Sequence, residues 1–192
     1  HISRFLDGKG VRVVSLDRLV HPDARPSRQR LPGTLDWVLH FGASKSIEES
    51  FRDPIAAYRR NVHSTMAALD IALTRKARFL YMSSYVYGRP RYLPIDERHP
   101  VSALNPYMGS KLLGEEVCRH VHEHTGLPVL ILRGFTFYGP GQADAQLVPS
   151  VVNAIACGET IVVRDPGPQR DYLYIDDFLG LLQRTRDRLD ER

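Results

Sequence analysis

The sequence predicts an α/β fold built around a mostly parallel β-sheet. Short apolar runs typical of buried strands alternate with longer segments that repeat their apolar residues at helical spacing. Glycine and proline residues separate many of these segments, as expected where a chain turns between elements. With 192 residues, 43% of them hydrophobic, the chain is long enough to bury one good core.

The amino-terminal part of the chain contains three predicted elements. Residues 2–6 are expected to end a helix, and residues 11–16 and 35–41 have the apolar composition of strands. A crossover between parallel strands needs a dozen or more residues, usually including a helix. Residues 18–33 carry three prolines and no apolar period, so they do not predict that helix.

The rest of the chain predicts further helices and strands in alternation. Helices are expected at residues 54–76, 106–124 and 147–157, with a final helix capped by Asp176 or Asp177, and strands at 78–83, 129–133 and 160–164. Pro54 stands in the first turn of its helix, where proline is favoured. The apolar residues expected to line that helix at helical spacing are Ile55, Tyr58, Val62, Met66, Leu69 and Leu73.

Tyr107 and Lys111 form the most informative pair. They are four residues apart on the predicted helix 106–124, so their side chains lie on one face about one turn apart. An unperturbed tyrosine has a pKa near 10, too high for a base at neutral pH, and a nearby ammonium group lowers that pKa. A serine at a neighbouring strand end could then hold a substrate oxygen against the tyrosine. The pattern is typical of acid–base catalysis.

Five motifs occur around this pair in a characteristic order. They are residues 79–88 (Phe-Leu-Tyr-Met-Ser-Ser-Tyr-Val-Tyr-Gly), 107–111, 129–133, 137–141 (Phe-Tyr-Gly-Pro-Gly) and 169–177. This order resembles the extended short-chain dehydrogenase/reductase superfamily, and within it the NAD-dependent nucleotide-sugar epimerases and dehydratases. The resemblance implies a Rossmann-like doubly wound parallel sheet. Residues 1–145 would form an incomplete NAD-binding domain, and residues 146–192 part of a small substrate-binding lobe interleaved with it.

Asp17 matches the acidic residue that binds the adenine ribose in such folds. A glycine-rich turn normally lies about 20 residues before that acidic residue, so the turn and the first strand are expected to precede residue 1. A carboxylate repels a 2′-phosphate, so Asp17 predicts NAD rather than NADP, although the adjacent Arg18 works against that preference. The residues expected to contact NAD are Asp17, Arg18, Phe41, Gly42, Ala43, Ser83, Tyr107 and Lys111.

The turn after the strand at residues 35–41 is one of the expected cofactor contacts. Residues 41–44 (Phe-Gly-Ala-Ser) resemble the family's His-Leu-Ala-Ala turn, where the backbone runs close to the cofactor. The small side chains of Gly42 and Ala43 would permit that approach. Asn61 matches a family asparagine in the following helix and is expected to brace the catalytic region.

Ser84, Tyr107 and Lys111 are the candidate catalytic residues, with Ser83 as a rival for the serine position. Alignment from the start of the strand puts Ser84 at the family's catalytic position, whereas alignment backward from Tyr87 puts Ser83 there. Strand register fixes side-chain direction more firmly than a loop does, which favours Ser84. By resemblance, Lys111 also binds the nicotinamide ribose.

Ser84, Tyr85, Thr136 and Arg170 are the residues expected to contact the substrate. Thr136 replaces the family asparagine that touches the sugar nucleotide, and because threonine is shorter and has no amide, the identity of the sugar stays open. Arg170 matches a position near the substrate phosphates, where a guanidinium can bind two oxygens at once.

The residues after Ser84 favour epimerisation over dehydration. The family's dehydratases carry an Asp-Glu pair directly after the threonine, whereas Tyr85 and Val86 stand here. The leading hypothesis is therefore an NAD-dependent epimerase-type oxidoreductase that acts on a nucleotide-sugar through a transient keto intermediate. The alternatives are an NAD(P)-dependent reductase of a carbonyl or keto-sugar, and a non-catalytic nucleotide-sugar or RNA-binding member of the same fold.

Composition disfavours several other classes of function. No apolar run approaches the roughly 20 residues that span a bilayer, so no membrane partner is expected. The net charge of +4 is mild, and the arginines of residues 25–30 lack interleaved aromatics, which disfavours nucleic-acid binding. Cys118 and Cys157 predict buried free thiols and a reducing, cytoplasmic location. The histidines that alternate at residues 120–124 predict solvated side chains and no metal site.

The resemblance also implies a homodimer formed through helices 54–76 and 106–124. Both helices carry more apolar positions than one sheet-facing stripe requires. A two-fold pairing would bury this surplus. The residues expected to take part are Ala56, Ala57, Ala67, Ala68, Leu112, Leu113 and Val117.

Overall fold

The computed structural model describes residues 6, 11–14, 31, 33–43, 46–162, 167 and 169–190, the last four of these by their backbone alone. Contacts divide the chain into two compact units. One unit is Val13–Gly134, and the other comprises His1–Arg12 and Phe135–Arg192. Each unit has a β-sheet of its own.

Three parallel strands form the sheet of the unit Val13–Gly134. They are β1 (Trp37–His40), β2 (Arg78–Met82) and β3 (Val129–Leu132), in the order β1-β2-β3. Helices α1 (Ile47–Arg52) and α2 (Pro54–Arg75) connect β1 to β2, and α3 (Pro106–Thr125) connects β2 to β3. This arrangement confirms the predicted α/β fold with parallel strands.

The two long helices begin and end at local signals that the sequence carries. At the start of α2 the Asp53 carboxylate accepts a hydrogen bond from the Ala56 N–H at 2.9 Å. At the start of α3 the Asn105 side chain accepts one from the Met108 N–H at 2.8 Å. Helix α3 ends at Gly126, whose φ of 73° suits glycine. The observed bounds therefore lie within one or two residues of the predicted ones.

Helix α1 was not predicted, although its start has a recognisable signal. The Ser46 side-chain oxygen accepts a hydrogen bond from the Glu49 N–H at 3.0 Å. A serine followed three residues later by a glutamate is the spacing of a capping box. With six residues, the helix is too short to show an apolar period.

The core of this unit lies between the sheet and the helices α2 and α3. Its buried members are Val38, Ala68, Leu69, Ala72, Ala77, Phe79, Tyr81, Cys118 and Leu127. Helix α2 contributes mainly small residues to this core, because it lies close to both the sheet and α3. The large residues Ile55, Met66 and Leu73 are exposed instead, so the apolar spacing predicted the helix but not which of its faces is buried.

The unit that contains Phe135–Arg192 has a separate two-stranded parallel sheet. Strands β4 (Thr136–Tyr138) and β5 (Tyr172–Tyr174) pair with Thr136 opposite Tyr172. Helix α4 (Leu147–Cys157) matches the predicted range, and α5 (Ile175–Asp190) begins one or two residues before the expected cap. Neither strand was predicted, because three residues are too few to show a period of two.

Three other expectations differ from the structure. Residues 11–14 and 160–162 are not in strands, and the remainder of those two predicted strands lies outside the described residues. Cys118 is buried but Cys157 is exposed, because α4 has no buried residue. The prediction of two buried thiols is therefore wrong for Cys157. Within the described residues, every helix is too short or too polar to cross a lipid bilayer.

Candidate active site

The carboxyl ends of β1 and β2 lie side by side at one edge of the sheet. The strands are parallel, and His40 at the end of β1 is opposite Tyr81 in β2. Residues 41–43 follow β1, and residues 83–84 follow β2. Ligands of open α/β sheets bind outside this edge. The predicted site residues that follow β1 and those that follow β2 therefore start at the same edge of the sheet.

Lys111 is buried against the ring of Tyr81. Its side chain is 2% exposed, and its Nζ lies 4.3 Å from the Tyr81 ring centroid. The Tyr81 hydroxyl donates a hydrogen bond to the Lys111 carbonyl at 3.2 Å. Gly114 permits this contact, because a Cβ at that position would overlap the Tyr81 hydroxyl. The aromatic face stabilises an ammonium group that burial would otherwise penalise.

Tyr107 lies one turn before Lys111 on α3, and its side chain is half-buried. The Tyr107 carbonyl accepts a hydrogen bond from the Ser110 hydroxyl at 2.7 Å, and the Asn61 amide donates to that hydroxyl at 2.8 Å. Helix α2 thus braces the first turns of α3, consistent with the role expected for Asn61. Burial raises the pKa of Tyr81, and Tyr107 is among the neighbours that add to the rise. Tyr107 is therefore near enough to Tyr81 for its charge to affect the pKa of Tyr81.

His40 is a buried polar residue at the end of β1 that the sequence did not reveal. The Thr65 hydroxyl donates to the Asn61 carbonyl at 2.8 Å, so the contact of 3.2 Å between His40 Nε2 and Thr65 Oγ1 requires the imidazole to donate. Burial, and secondarily the positive charge of Lys111, lowers the pKa of His40 to about 4. The imidazole is therefore neutral at pH 7 and adds no second positive charge beside Lys111.

Glu115 connects α3 to the ends of β2 and β3. Its buried carboxylate accepts hydrogen bonds from Ser83 Oγ at 2.6 Å, Arg133 Nη2 at 2.6 Å and Arg119 Nη2 at 2.7 Å. Burial by itself would raise the pKa of Glu115, but the hydrogen bonds from Arg133 and Ser83 outweigh it, and the net effect lowers that pKa. The carboxylate is therefore anionic and holds three elements together.

Neither His40 nor Glu115 was among the predicted site residues. A signal for Glu115 existed, because it follows Lys111 by four residues and Tyr107 by eight, which places all three on one face of α3. His40 had a weaker signal, because one polar residue at the end of an apolar run does not by itself indicate burial.

Ser83 and Ser84 differ in their surroundings. Ser83 is buried, and its hydroxyl is committed to Glu115. Ser84 is half-buried, and in the part of the chain that the structure describes its hydroxyl takes part in no hydrogen bond. The Tyr85 hydroxyl donates to the Gly88 carbonyl at 2.6 Å. Ser84 is therefore the serine of this pair whose hydroxyl is available to a ligand.

The residues at this edge of the sheet fit a dinucleotide such as NAD. Gly42 is exposed, and among the described residues a Cβ added there would meet only the His40 ring, at 3.4 Å, so none of these residues covers the turn after β1. The neighbouring Phe41 and Ala43 are half-buried. The buried Lys111 ammonium group and the Ser84 hydroxyl, which has no partner among the described residues, are suitable donors for ribose oxygens. Asp17 and Arg18, predicted to bind the adenine ribose, lie outside the described residues, as does Ser44.

Thr136 and Arg170 lie near each other in the other unit. The Thr136 N–H donates to the Asp171 carbonyl at 3.2 Å, and Arg170 immediately precedes that residue. Thr136 is half-buried, whereas Arg170 is exposed. The start of the small parallel sheet thus brings together the two residues predicted to bind substrate in this unit.

A cluster of possible metal ligands lies at the other end of α3. His120, Glu123 and His124 are exposed, and their ligand atoms lie within 4.8 Å of one another. The expectation that the histidines of this helix show no ligand geometry with a carboxylate is wrong here. Histidines at every second position do not indicate a cluster on a helix. His120 and His124, however, are four residues apart and therefore lie on the same side as Glu123.

Comparisons with known proteins agree with the geometry. The chain matches the model of the NAD dependent epimerase/dehydratase family over residues 1–188. UDP-glucose 4-epimerase of Mus musculus is 32% identical over 163 residues, which cover 73% of this chain and 47% of that protein. GDP-6-deoxy-D-mannose reductase of Pseudomonas aeruginosa is 33% identical over 160 residues, which cover 78% of this chain and 53% of that protein.

A solved structure extends the likeness to the fold. The structure of RMD from Pseudomonas aeruginosa complexed with NADPH superposes with a TM-score of 0.80 at 29% identity, covering 94% of this chain and 66% of that one. The chain spans about half of the length of the curated relatives it matches.

Proposed function

Because the chain belongs to the NAD dependent epimerase/dehydratase family, we propose that the protein is an epimerase-type oxidoreductase that acts on a nucleotide-sugar through a transient keto intermediate. The observation that carries the proposal is the arrangement at the carboxyl edge of the sheet. Lys111 is buried one turn after Tyr107 on α3, and Ser84 follows β2 with a hydroxyl that has no hydrogen-bond partner among the described residues.

Each of these residues has a distinct role in the proposal. Tyr107 takes the proton from the sugar hydroxyl that is oxidised, and Ser84 orients that oxygen by a hydrogen bond. Lys111 supplies a fixed positive charge one turn from Tyr107, and it also binds the nicotinamide ribose. Bound NAD supplies hydride-transfer chemistry at this edge. The epimer would form when the hydride held by the cofactor is returned to the other face of the turned keto-sugar and Tyr107 gives its proton back to the same oxygen, so that no reduced cofactor accumulates.

The turn after β2 supports epimerisation rather than loss of water. Elimination of water needs an additional acid and base near the sugar, and the two residues after Ser84 are Tyr85 and Val86. The Tyr85 hydroxyl already donates to the Gly88 carbonyl, and Val86 is buried. These residues offer no carboxylate for that step.

The second candidate is an NAD(P)-dependent reductase of a keto-sugar. It is favoured by the similarity to a GDP-6-deoxy-D-mannose reductase and to the RMD structure with NADPH. A reductase would use the same Tyr107, Lys111 and Ser84, but the reduced cofactor would be consumed with each turnover. The two candidates therefore use the same site residues and differ in whether reduced cofactor is consumed during turnover.

A product assay separates the two candidates. UDP-glucose, the substrate named for the mouse relative, is incubated with the complete protein and a small amount of NAD, and the 4-epimer is measured by chromatography. We expect the epimer to accumulate without net formation of NADH. Consumption of NADH or NADPH in proportion to a keto-sugar substrate, with no epimer formed, would instead establish the reductase.

We also propose that the protein is a homodimer located in the cytoplasm. Support for pairing comes from large apolar side chains left exposed on the outer faces of α2 and α3: Ile55, Met66, Leu73 and Leu113. Support for a reducing compartment comes from the two free cysteines. Sedimentation at micromolar concentration tests the pairing, and a clean monomer would exclude it.

A further inference from the structure

The last two turns of α3 carry His120, Glu123 and His124 on one face. Residues separated by three or four positions are neighbours on a helix surface. Their ligand atoms lie within 4.8 Å of one another. Glu123 Oε2 is already 3.5 Å from His120 Nδ1, and these two side chains are 60% and 68% exposed. Two imidazoles and a carboxylate can therefore converge on one point without moving the backbone.

The tautomer of His124 is already suitable for metal binding. Its Nδ1 lies 2.8 Å from the His120 carbonyl oxygen, which can only accept a hydrogen bond, so Nδ1 carries the proton. In the neutral ring, Nε2 is then left with its lone pair free. Histidine ligands of metals are commonly oriented by a hydrogen bond of this kind from their second nitrogen.

The position on the helix also favours a cation. The last carbonyl groups of a helix give its carboxyl end a partial negative charge. His124 is next to the last residue of α3, and the helix ends at Gly126. A cation bound by His120 and His124 would link two turns of α3 near that negative end.

We propose that His120, Glu123 and His124 bind a divalent transition-metal ion of the zinc type. Imidazole and carboxylate ligands suit Zn²⁺, Ni²⁺ and Cu²⁺, whereas Mg²⁺ and Ca²⁺ prefer all-oxygen sites. In the tetrahedral geometry that zinc prefers, bonds of about 2.1 Å place two ligand atoms about 3.4 Å apart. The ligand atoms, now within 4.8 Å of one another, must therefore approach by up to about 1.4 Å, which rotation of exposed side chains allows. This site is independent of the reaction proposed above.

Calorimetric titration with Zn²⁺ on the complete, metal-stripped protein tests the site. The variants are His120→Gln and His124→Gln. The matched control is His122→Gln, which removes an imidazole of the same helix whose Nδ1 is bonded instead to the Leu127 carbonyl at 2.8 Å. We expect one saturable site, weakened by at least about tenfold in each variant and unchanged in the control.

A second readout uses Cu²⁺ and electron paramagnetic resonance. Two equivalent imidazole nitrogens should couple to the copper ion in the wild-type protein, and one in either variant, with a folded protein verified by circular dichroism. Absence of saturable Zn²⁺ binding to the wild type would overturn the proposal. So would binding that survives His120→Gln and His124→Gln, or binding that is lost in His122→Gln.

Discussion

Ser83 donates a 2.6 Å hydrogen bond to the buried carboxylate of Glu115, and this bond ties the end of β2 to the helix that carries Tyr107 and Lys111. Arg133, just after β3, donates to the same carboxylate through two nitrogens. Three elements therefore share one buried anion. Because Ser84 is next to Ser83, the position of the available hydroxyl depends on this anion even though Glu115 need not touch a substrate.

Glu115→Gln should destabilise the fold strongly. The amide cannot neutralise the guanidinium groups of Arg133 and Arg119, and breaking a buried ion pair costs about 3 kcal/mol or more. The matched control is Glu116→Gln on the same helix, whose exposed carboxylate also pairs with Arg119 and should contribute less than about 1 kcal/mol. Urea unfolding measures both. Equal effects of the two substitutions would show that the buried anion has no special role.

Ser83→Ala should reduce mainly the stability of the protein, and Ser84→Ala should reduce mainly its turnover. Loss of the Ser83 hydroxyl removes a hydrogen bond to a buried charge, so the free energy of unfolding should fall by about 2 kcal/mol. Loss of the Ser84 hydroxyl should leave stability nearly unchanged but lower turnover by two orders of magnitude or so, because the reacting oxygen loses its orienting donor. Kinetics and unfolding of both variants decide between the serines. If Ser83→Ala alone abolished turnover in a stable protein, the assignment would be reversed.

Acidification should destabilise the protein through His40 before its carboxylates are protonated. The folded pKa of about 4 lies below the ordinary value of 6.5, so the unfolded state binds the proton first as pH falls. The free energy of unfolding should therefore decrease by about 3 kcal/mol from this residue between pH 6.5 and pH 4. Below pH 4 the contribution should level off.

The variant His40→Phe checks the origin of this pH dependence. A phenyl ring can keep the stacking with Phe79 and Tyr81 but cannot be protonated, so the slope between pH 6.5 and pH 4 should be smaller than in the wild type. His63→Gln, which removes an exposed imidazole from α2, is the matched control. An unchanged slope in His40→Phe would contradict the assignment.

The cofactor preference should depend on Asp17. A carboxylate at that position repels the 2′-phosphate of NADP, so the wild-type protein should bind NAD more tightly, and Asp17→Ala should narrow the difference. Calorimetry with both dinucleotides measures the preference. Tighter binding of NADP by the wild type would show that the adjacent Arg18 dominates, in line with the NADPH found in a similar structure.

The long helices and the parallel sheet could be predicted because their signals are local. Pro54 and Pro106 mark helix starts, Gly126 marks a helix end, and the apolar strands are contiguous in the sequence. Tyr107 and Lys111 were recognisable as a pair for the same reason, because four residues of spacing fix their side chains on one helix face.

The missed features depend on contacts between distant parts of the chain. Nothing in the spacing of Glu115 shows that Arg133, 18 residues later, would donate to it in the interior. The outward position of Met66 reflects how closely α2 approaches its neighbours, which a helical period alone does not specify. In the part of the chain that the structure describes, β4 and β5 pair with each other across more than 30 residues of chain.

The substitution Tyr107→Phe tests the proposed mechanism most directly, because it removes one oxygen from a half-buried ring. Turnover of a nucleotide-sugar by the complete protein and its affinity for NAD are measured side by side, with Lys111→Met for comparison. We expect Tyr107→Phe to abolish turnover while NAD affinity stays within a few-fold, and Lys111→Met to impair both. A Tyr107→Phe variant that kept a near-normal rate would contradict the assignment of the phenol oxygen as the acid–base group.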